Sequence, residues 1–133
     1  MSDQTVFPAL RYRDAKGAID WLGRAFGFEP RVVYDEGDVV HHAELQVPGG
    51  MIMLGSVRGD SSEYQQVAPP PGSASIYVVV EDADAHHARA KEAGAEILMD
   101  LHDTDYGSRD YTARDPEGNV WSFGTYQPWA AND

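Results

Sequence analysis

The chain has 133 residues, 42% of them hydrophobic, enough for one compact domain with its own core and no demand for a second. With 10 Lys and Arg against 22 Asp and Glu, a formal charge of −12 argues against nucleic acid as a partner, because counterion release needs clustered cations, and leaves neutral or cationic small molecules as better ligands. The absence of cysteine excludes disulfides, thiolate metal sites and cysteine nucleophiles; no apolar run approaches the ~20 residues of a membrane span, and "MSDQTVFP" lacks the parts of a secretory leader, so a cytoplasmic protein that binds no membrane is expected.

In chain order, "TVFPALRYR" reads as a strand that Pro8 confines to a sheet edge or a strand start. Asp14 is placed to cap a helix over "AKGAIDWLGRAFG", where Ala18, Ile19, Leu22, Ala25 and Phe26 recur at helical period and Gly27 closes the last turn. Strands over "EPRVVYDEG", "DVVHHAELQV" and "GMIMLGS" follow. The stretch "VRGDSSEYQQVAPPPGS" is polar, holds three consecutive prolines and shows neither period, so it reads as a semi-rigid linker. Beyond it the pattern recurs: a strand in "ASIYVVVED", a helix capped by Asp82 over "ADAHHARAKEAGA", and strands in "EILMDLH", "SRDYTARD" and "NVWSFGTY", the last entered through an Asp-Pro-Glu-Gly turn. The spacing predicts an α+β chain of two βαβββ modules, about 5–56 and 74–127, joined by the Pro-rich linker 57–73 and sharing one core.

Strand parity sorts the side chains. Val120, Ser122, Gly124 and Tyr126 share one face, while Trp121 and Phe123 point to the other, which with Trp21 is assigned to a helix-side core. A two-residue turn at Gly49-Gly50 would pair Gln46 with Met53, Glu44 with Gly55 and His42 with Val57, gathering His42, Glu44, Gln46 and Met53 on one face. His42 and Glu44, two apart, could offer two metal ligands, a base and its partner, or a hydrogen-bonded polar pair; a catalytic metal site needs about three ligands. The adjacent pairs His41-His42 and His86-His87 should diverge, the second onto a helix surface, and His102 falls in a loop. Arg109 and Tyr111 share a face that either lines a cavity mouth or belongs to an edge strand. Phosphate-loop, nucleophile-elbow and H-E-x-x-H motifs are missing.

"LRYRDAKGAIDWLGRAFGF", the pair "HAEL" and "MIMLGS", and "YGSRDYTARDPEGNVWSFGTYQP" together resemble the vicinal oxygen chelate superfamily, the group of glyoxalase I, bleomycin-resistance proteins and extradiol dioxygenases. The resemblance spans nearly the whole chain. It implies two βαβββ modules with sheets cupped around a central cavity and helices outside, often as a homodimer. Metal-dependent members carry ligands on the cavity face of the first and last strand of each module, which the resemblance places at Phe7, Met53, Ser75 and Ser122. Phenyl, thioether and neutral hydroxyl groups are poor donors for the usual divalent ions, so neither metal nor other cofactor is expected. In glyoxalase-like relatives an Arg at the position of Arg11 can contact a substrate carboxylate; a structural ion pair is the alternative. The expected lining is Arg11, His42, Glu44, Gln46, Met53, Ser75, Tyr77, Arg109, Tyr111 and Ser122, around a small organic ligand bound without the family metal. The alternative is an enzyme of lyase, isomerase or dioxygenase type that uses a displaced divalent metal or a His42/Glu44 acid–base pair, with His42 and Glu44 as the catalytic candidates.

Overall fold

The Asp14 side chain accepts a hydrogen bond from Gly17 N, and Gly27 stands at φ +77°, so helix α1 (Ala15–Phe26) starts and stops at the residues its sequence marks. The computed structural model describes residues 4–59 and 62–130. Around α1 lie β1 (Ala9–Tyr12), β2 (Glu29–Glu36), β3 (Val39–Val47) and β4 (Gly50–Ser56); the second module holds β5 (Ser75–Val79), α3 (Ala83–Glu92), β6 (Glu96–Asp103), β7 (Arg109–Arg114) and β8 (Val120–Gly124). The two sheets have equivalent orders, β1-β4-β3-β2 and β5-β8-β7-β6. In each, the first strand runs parallel to the last and the remaining pairs are antiparallel. This is the α+β, twice-βαβββ architecture that the repeat of capped helices implied. Pro8 stands just before edge strand β1, where its carbonyl accepts from Met53 N and its missing N–H is harmless.

Two elements differ from the sequence pattern. The linker contains a short helix, α2 (Glu63–Val67), whose cap Ser62 accepts from Gln65 N; one and a half turns are too few to show a helical period. His102 lies in β6 rather than a loop.

One core serves both modules. Leu45, Ile52 and Leu54 meet the α1 stripe, and Phe26 and Phe28 reach across to Trp121 and Phe123, with ring centroids 4.6 Å apart for Phe26–Phe123 and 5.4 Å for Phe28–Trp121. Burying such side chains stabilises by roughly 1.5–3 kcal/mol each, and no module could cover them alone. Both ends of α1 are also tied to the second module. At its start, the Glu117 carboxylate accepts from Arg13 N and Asp14 N at 2.6 and 2.8 Å. At its end, Arg89 donates to Arg24 O and Gly23 O at 3.0 and 2.9 Å, a cation meeting the negative end of the helix dipole.

The helix-surface expectation for His86 and His87 is overturned. The His86 ring lies 4.1 Å from that of Phe123, hydrogen-bonds Tyr111 Oη through Nδ1, and donates from Nε2 to Phe26 O at 3.1 Å. His87 is 9% exposed, with Nε2 2.8 Å from Asp100 Oδ1. An α3 of small alanines lets a sheet and a neighbouring helix approach its imidazoles, so a polar residue type misleads about burial.

Candidate functional site

The face of each sheet turned away from the shared helix core carries most of the predicted site. On the first sheet the β3–β4 hairpin turns at Pro48-Gly49 rather than Gly49-Gly50, with Gly49 at φ +75° and Val47 opposite Gly50. The pairing is therefore displaced by two residues: Glu44 faces Met53, and Gln46 faces Met51. A shift of two conserves side-chain parity, so His42, Glu44, Gln46 and Met53 do share the face. Arg11 joins them from β1, opposite Gly55.

His42 donates from Nε2 to Glu44 Oε2 at 2.9 Å, and its ring stacks with Tyr34 of β2 at a centroid distance of 6.5 Å. His41 does not point to the opposite side. The β2–β3 register jumps between Tyr34–His42 and Asp35–Val40, a β-bulge that brings both imidazoles to one cavity of about 310 Å³ with Arg11, Met53, Arg58 and Tyr64. The jump interrupts strand alternation at His41 and sends both rings to one side. The end of β4 supports it: Val40 N donates to buried Ser56 Oγ at 2.8 Å, and a Cβ on Gly55 would stand 3.2 Å from His41 O. His41 donates from Nε2 to Glu36 Oε1 at 2.8 Å and accepts from Arg58 Nη1 at 3.3 Å.

Arg11 lines this cavity, but its guanidinium is directed to the linker. It donates to Ala68 O and Pro69 O at 3.0 and 3.1 Å and to Gln65 Oε1 at 2.9 Å. Its partners are carbonyls of the α2 segment rather than the acid imagined in an ion pair. Gln46 accepts from Arg31 at 2.9 Å and belongs to the neighbouring hollow with Phe7 and Met51.

On the second sheet, Tyr77 pairs with Ser122 and Ser75 with Val120. Ser122 Oγ is 2.9 Å from Thr112 Oγ1, and Tyr77 donates to Tyr126 O at 2.9 Å. Burial raises the proton affinity of the Tyr77 phenol, and the negative charge of Asp110 adds to the rise. Arg109 and Tyr111 must be removed from this face. Tyr111 is fully buried opposite Phe123, inside the helix-side core, and burial pushes its phenol well above its ordinary value. Arg109 binds Asp84 of α3 and Asp103, each at 3.1 Å. Register decides it: Tyr111 pairs with inward-facing Phe123, so Asp110 and Thr112 take the outer face.

The sequence profile of the Glyoxalase/Bleomycin resistance protein/Dioxygenase superfamily matches residues 4–123. The chain belongs to this superfamily. An uncharacterized protein of Mycobacterium bovis is 33% identical over 129 residues, covering 92% of this chain and 83% of the relative. An uncharacterized protein of Mycobacterium tuberculosis shares 33% identity over the same length, covering 92% of this chain and 74% of its own. Among solved structures, TioX from Micromonospora sp. ML1 is 31% identical with a TM-score of 0.76, covering 92% of this chain and 100% of that one. A glyoxalase/bleomycin resistance protein from Streptomyces sp. CB03234 is 23% identical with a TM-score of 0.69, covering 90% and 98%, and shows likeness of fold.

The donors at this superfamily member's central positions do not fit the metal of its metal-dependent relatives. Of the four positions the resemblance assigns to metal ligands, Phe7 precedes β1 and Ser75 pairs with Val120, while Ala9 stands opposite Met53 and Tyr77 opposite Ser122, so phenyl, methyl, thioether, phenol and hydroxyl groups, all poor donors for a divalent ion, occupy this region. Among the described residues no three His, Cys, Asp or Glu side chains converge, and His42 and Glu44 are engaged with each other. Sequence reasoning missed His41, Tyr34, Tyr64 and Asp110. Parity alone would have found Tyr34; the bulge and α2 that deliver the other first-sheet groups have no sequence period.

Proposed function

We propose that this protein binds a small organic molecule on its outer sheet faces without the divalent ion of its metal-dependent relatives. The observation that carries the reading is the donor set just described: rungs suited to metal ligands hold Met53, Ser122 and their neutral partners, while aromatic, thioether and hydrogen-bonding groups surround them. Such a lining suits an apolar ligand oriented by a few polar contacts. Among the described residues, the cavity beside His42 is lined by first-module and linker side chains, and Tyr77 is 39% exposed on the other sheet. In this reading a second copy completes the enclosure as a homodimer, and the protein acts in the cytoplasm by sequestering or sensing its ligand.

Methionine-methyl NMR tests the reading, because Met51 and Met53 report from the first sheet and Met99, opposite Thr112, from the second. A screen of small aromatic and amine compounds should give saturable shifts at one or more of these methyls. A screen that moves none of them sinks the proposal. Sedimentation equilibrium tests the dimer separately, a monomer at micromolar concentration being the contrary result.

A second reading is favoured by one specific contact, the 2.9 Å hydrogen bond from His42 to Glu44. A carboxylate holding one ring nitrogen orients the imidazole for acid–base work. In an enzyme of lyase or isomerase type, His42→Ala would abolish turnover with ligand affinity retained; unchanged turnover would remove His42 from the chemistry.

A further inference from the structure

We propose that Asp110, with the tyrosines around it, forms a subsite for the positively charged amine of an organic ligand. The proposal rests on the ligand-binding reading above and names the class of molecule that the site takes. Asp110 pairs with Gly124 across the β7–β8 ladder. Its Oδ1 stands 2.0 Å, and Tyr77 Oη 2.7 Å, from the point a Cβ on Gly124 would occupy. The missing side chain lets the Asp110 carboxylate pack over Gly124, which sets its Oδ1 beside the Tyr77 hydroxyl on the outer face of the sheet. Ser108 donates its hydroxyl proton to Asp110 Oδ1 and accepts from Tyr126 N at 2.9 Å, so neutral groups fix the carboxylate without compensating its charge. No donor among the described residues reaches Oδ2.

The arginines on either side of Asp110 along β7 are committed elsewhere. Arg109 points to the opposite face with Asp84 and Asp103, and Arg114 holds Glu96 at 3.0 Å. His102, across the ladder from Asp110, directs Nδ1 to Asp100 O at 2.8 Å. A bound ammonium would give this partly exposed carboxylate the counter-charge that its neutral neighbours lack. Tyrosines adjoin the carboxylate: Tyr77 Oη stands beside it at Gly124 and donates to Tyr126 O, and the Tyr126 ring packs edge-on against Tyr106 with centroids 5.1 Å apart. Aromatic faces attract ammonium groups, and a primary ammonium also donates to the open carboxylate oxygen. An anion would meet both Asp110 and a chain of net charge −12.

The test uses two soluble probes of similar shape, 2-phenylethylammonium and neutral 2-phenylethanol, titrated into the full chain at neutral pH and followed by NMR. The wild type should bind the ammonium about tenfold more tightly, the effect of one charge-assisted contact. Asp110→Asn should bring the two affinities together while leaving that of 2-phenylethanol unchanged. The wild-type protein gives a second readout that needs no variant: the Asp110 carboxyl 13C resonance should shift with the ammonium and not with the alcohol. If both probes bind the wild type equally, the cation subsite is wrong and ligand binding stands. If neither binds, the cation subsite is wrong, and the methionine-methyl screen decides ligand binding separately. A preference that survives in a folded Asp110→Asn protein, or an Asp110 resonance blind to the ammonium, overturns the assignment to Asp110.

Discussion

Tyr12 of the first module donates its phenol proton to Asp115 Oδ2 of the second at 2.7 Å, with Tyr12 fully buried and Asp115 3% exposed. The same carboxylate accepts from Trp121 Nε1 at 3.0 Å and Asn119 Nδ2 at 3.2 Å. Its other oxygen takes Glu117 N and Asn119 N. Burial, reinforced by the charge of Asp115, pushes the Tyr12 phenol far above its ordinary value, so this tyrosine stays a donor at every physiological pH. Asp115→Ala would strand several buried donors at once and should destabilise by on the order of 3–5 kcal/mol. Tyr12→Phe removes one donor and keeps the ring, which should cost about 1–2 kcal/mol. Urea unfolding checks both; equal, small effects would show that the network does not hold the modules together.

His86 should make stability depend on pH. Its Nε2–H donates to Phe26 O and its Nδ1 hydrogen-bonds the Tyr111 hydroxyl. Burial lowers its proton affinity; the Phe26 carbonyl opposes that and the charge of Arg89 adds to it. An unfolded histidine titrates near ~6.5. Below that pH the unfolded chain takes up a proton that the folded chain declines, so stability falls as pH drops, whereas above it the contribution is fully present. Unfolding measured at intervals from about pH 8 to 5 should show a shallower decline for His86→Gln than for the wild type. Parallel curves would place the titration elsewhere.

The caps show what was legible. Asp14, Gly27 and Asp82 announce helix ends through local chemistry, and the aromatic parity of Trp121 and Phe123 announces the core, because both signals lie within a few residues. The face of Tyr111 cannot be read from β7 alone; its pairing with inward-facing Phe123 decides it. The convergence of His41 with His42 was not legible, since it depends on a bulge stabilised by Gly55 and Ser56 of another strand. Nor was the engagement of Arg11, whose partners lie 54 to 58 residues away.

Arg11 should control the linker rather than the ligand's carboxylate. Its guanidinium holds Gln65, Ala68 and Pro69, and α2 has no buried residue of its own. Arg11→Ala should raise opening of this segment about tenfold, the effect of losing about 1.4 kcal/mol of hydrogen bonding. Chymotrypsin cleavage after half-exposed Tyr64 reads that directly. Arg11→Lys should fall between, since an ammonium cannot reproduce the planar fork. Identical cleavage rates for all three proteins would assign the linker's order to other contacts.

The β3 bulge should yield to changes in β4. A methyl on Gly55 would press on the carbonyls of His41 and Val40, at 3.2 and 3.3 Å from its Cβ, neither of which can swing aside as a side chain would. Ser56→Ala leaves the buried Val40 N–H without its acceptor, a loss of about 1–3 kcal/mol. If the bulge is what turns both imidazoles to one cavity, either substitution should shift the ring-proton NMR signals of His41 and His42 together. His86, in the inter-module core, should stay where it is. Movement of His42 alone would mean that the Glu44 contact, and not the bulge, sets the geometry; the His41 ring would then be placed by Glu36 and Arg58.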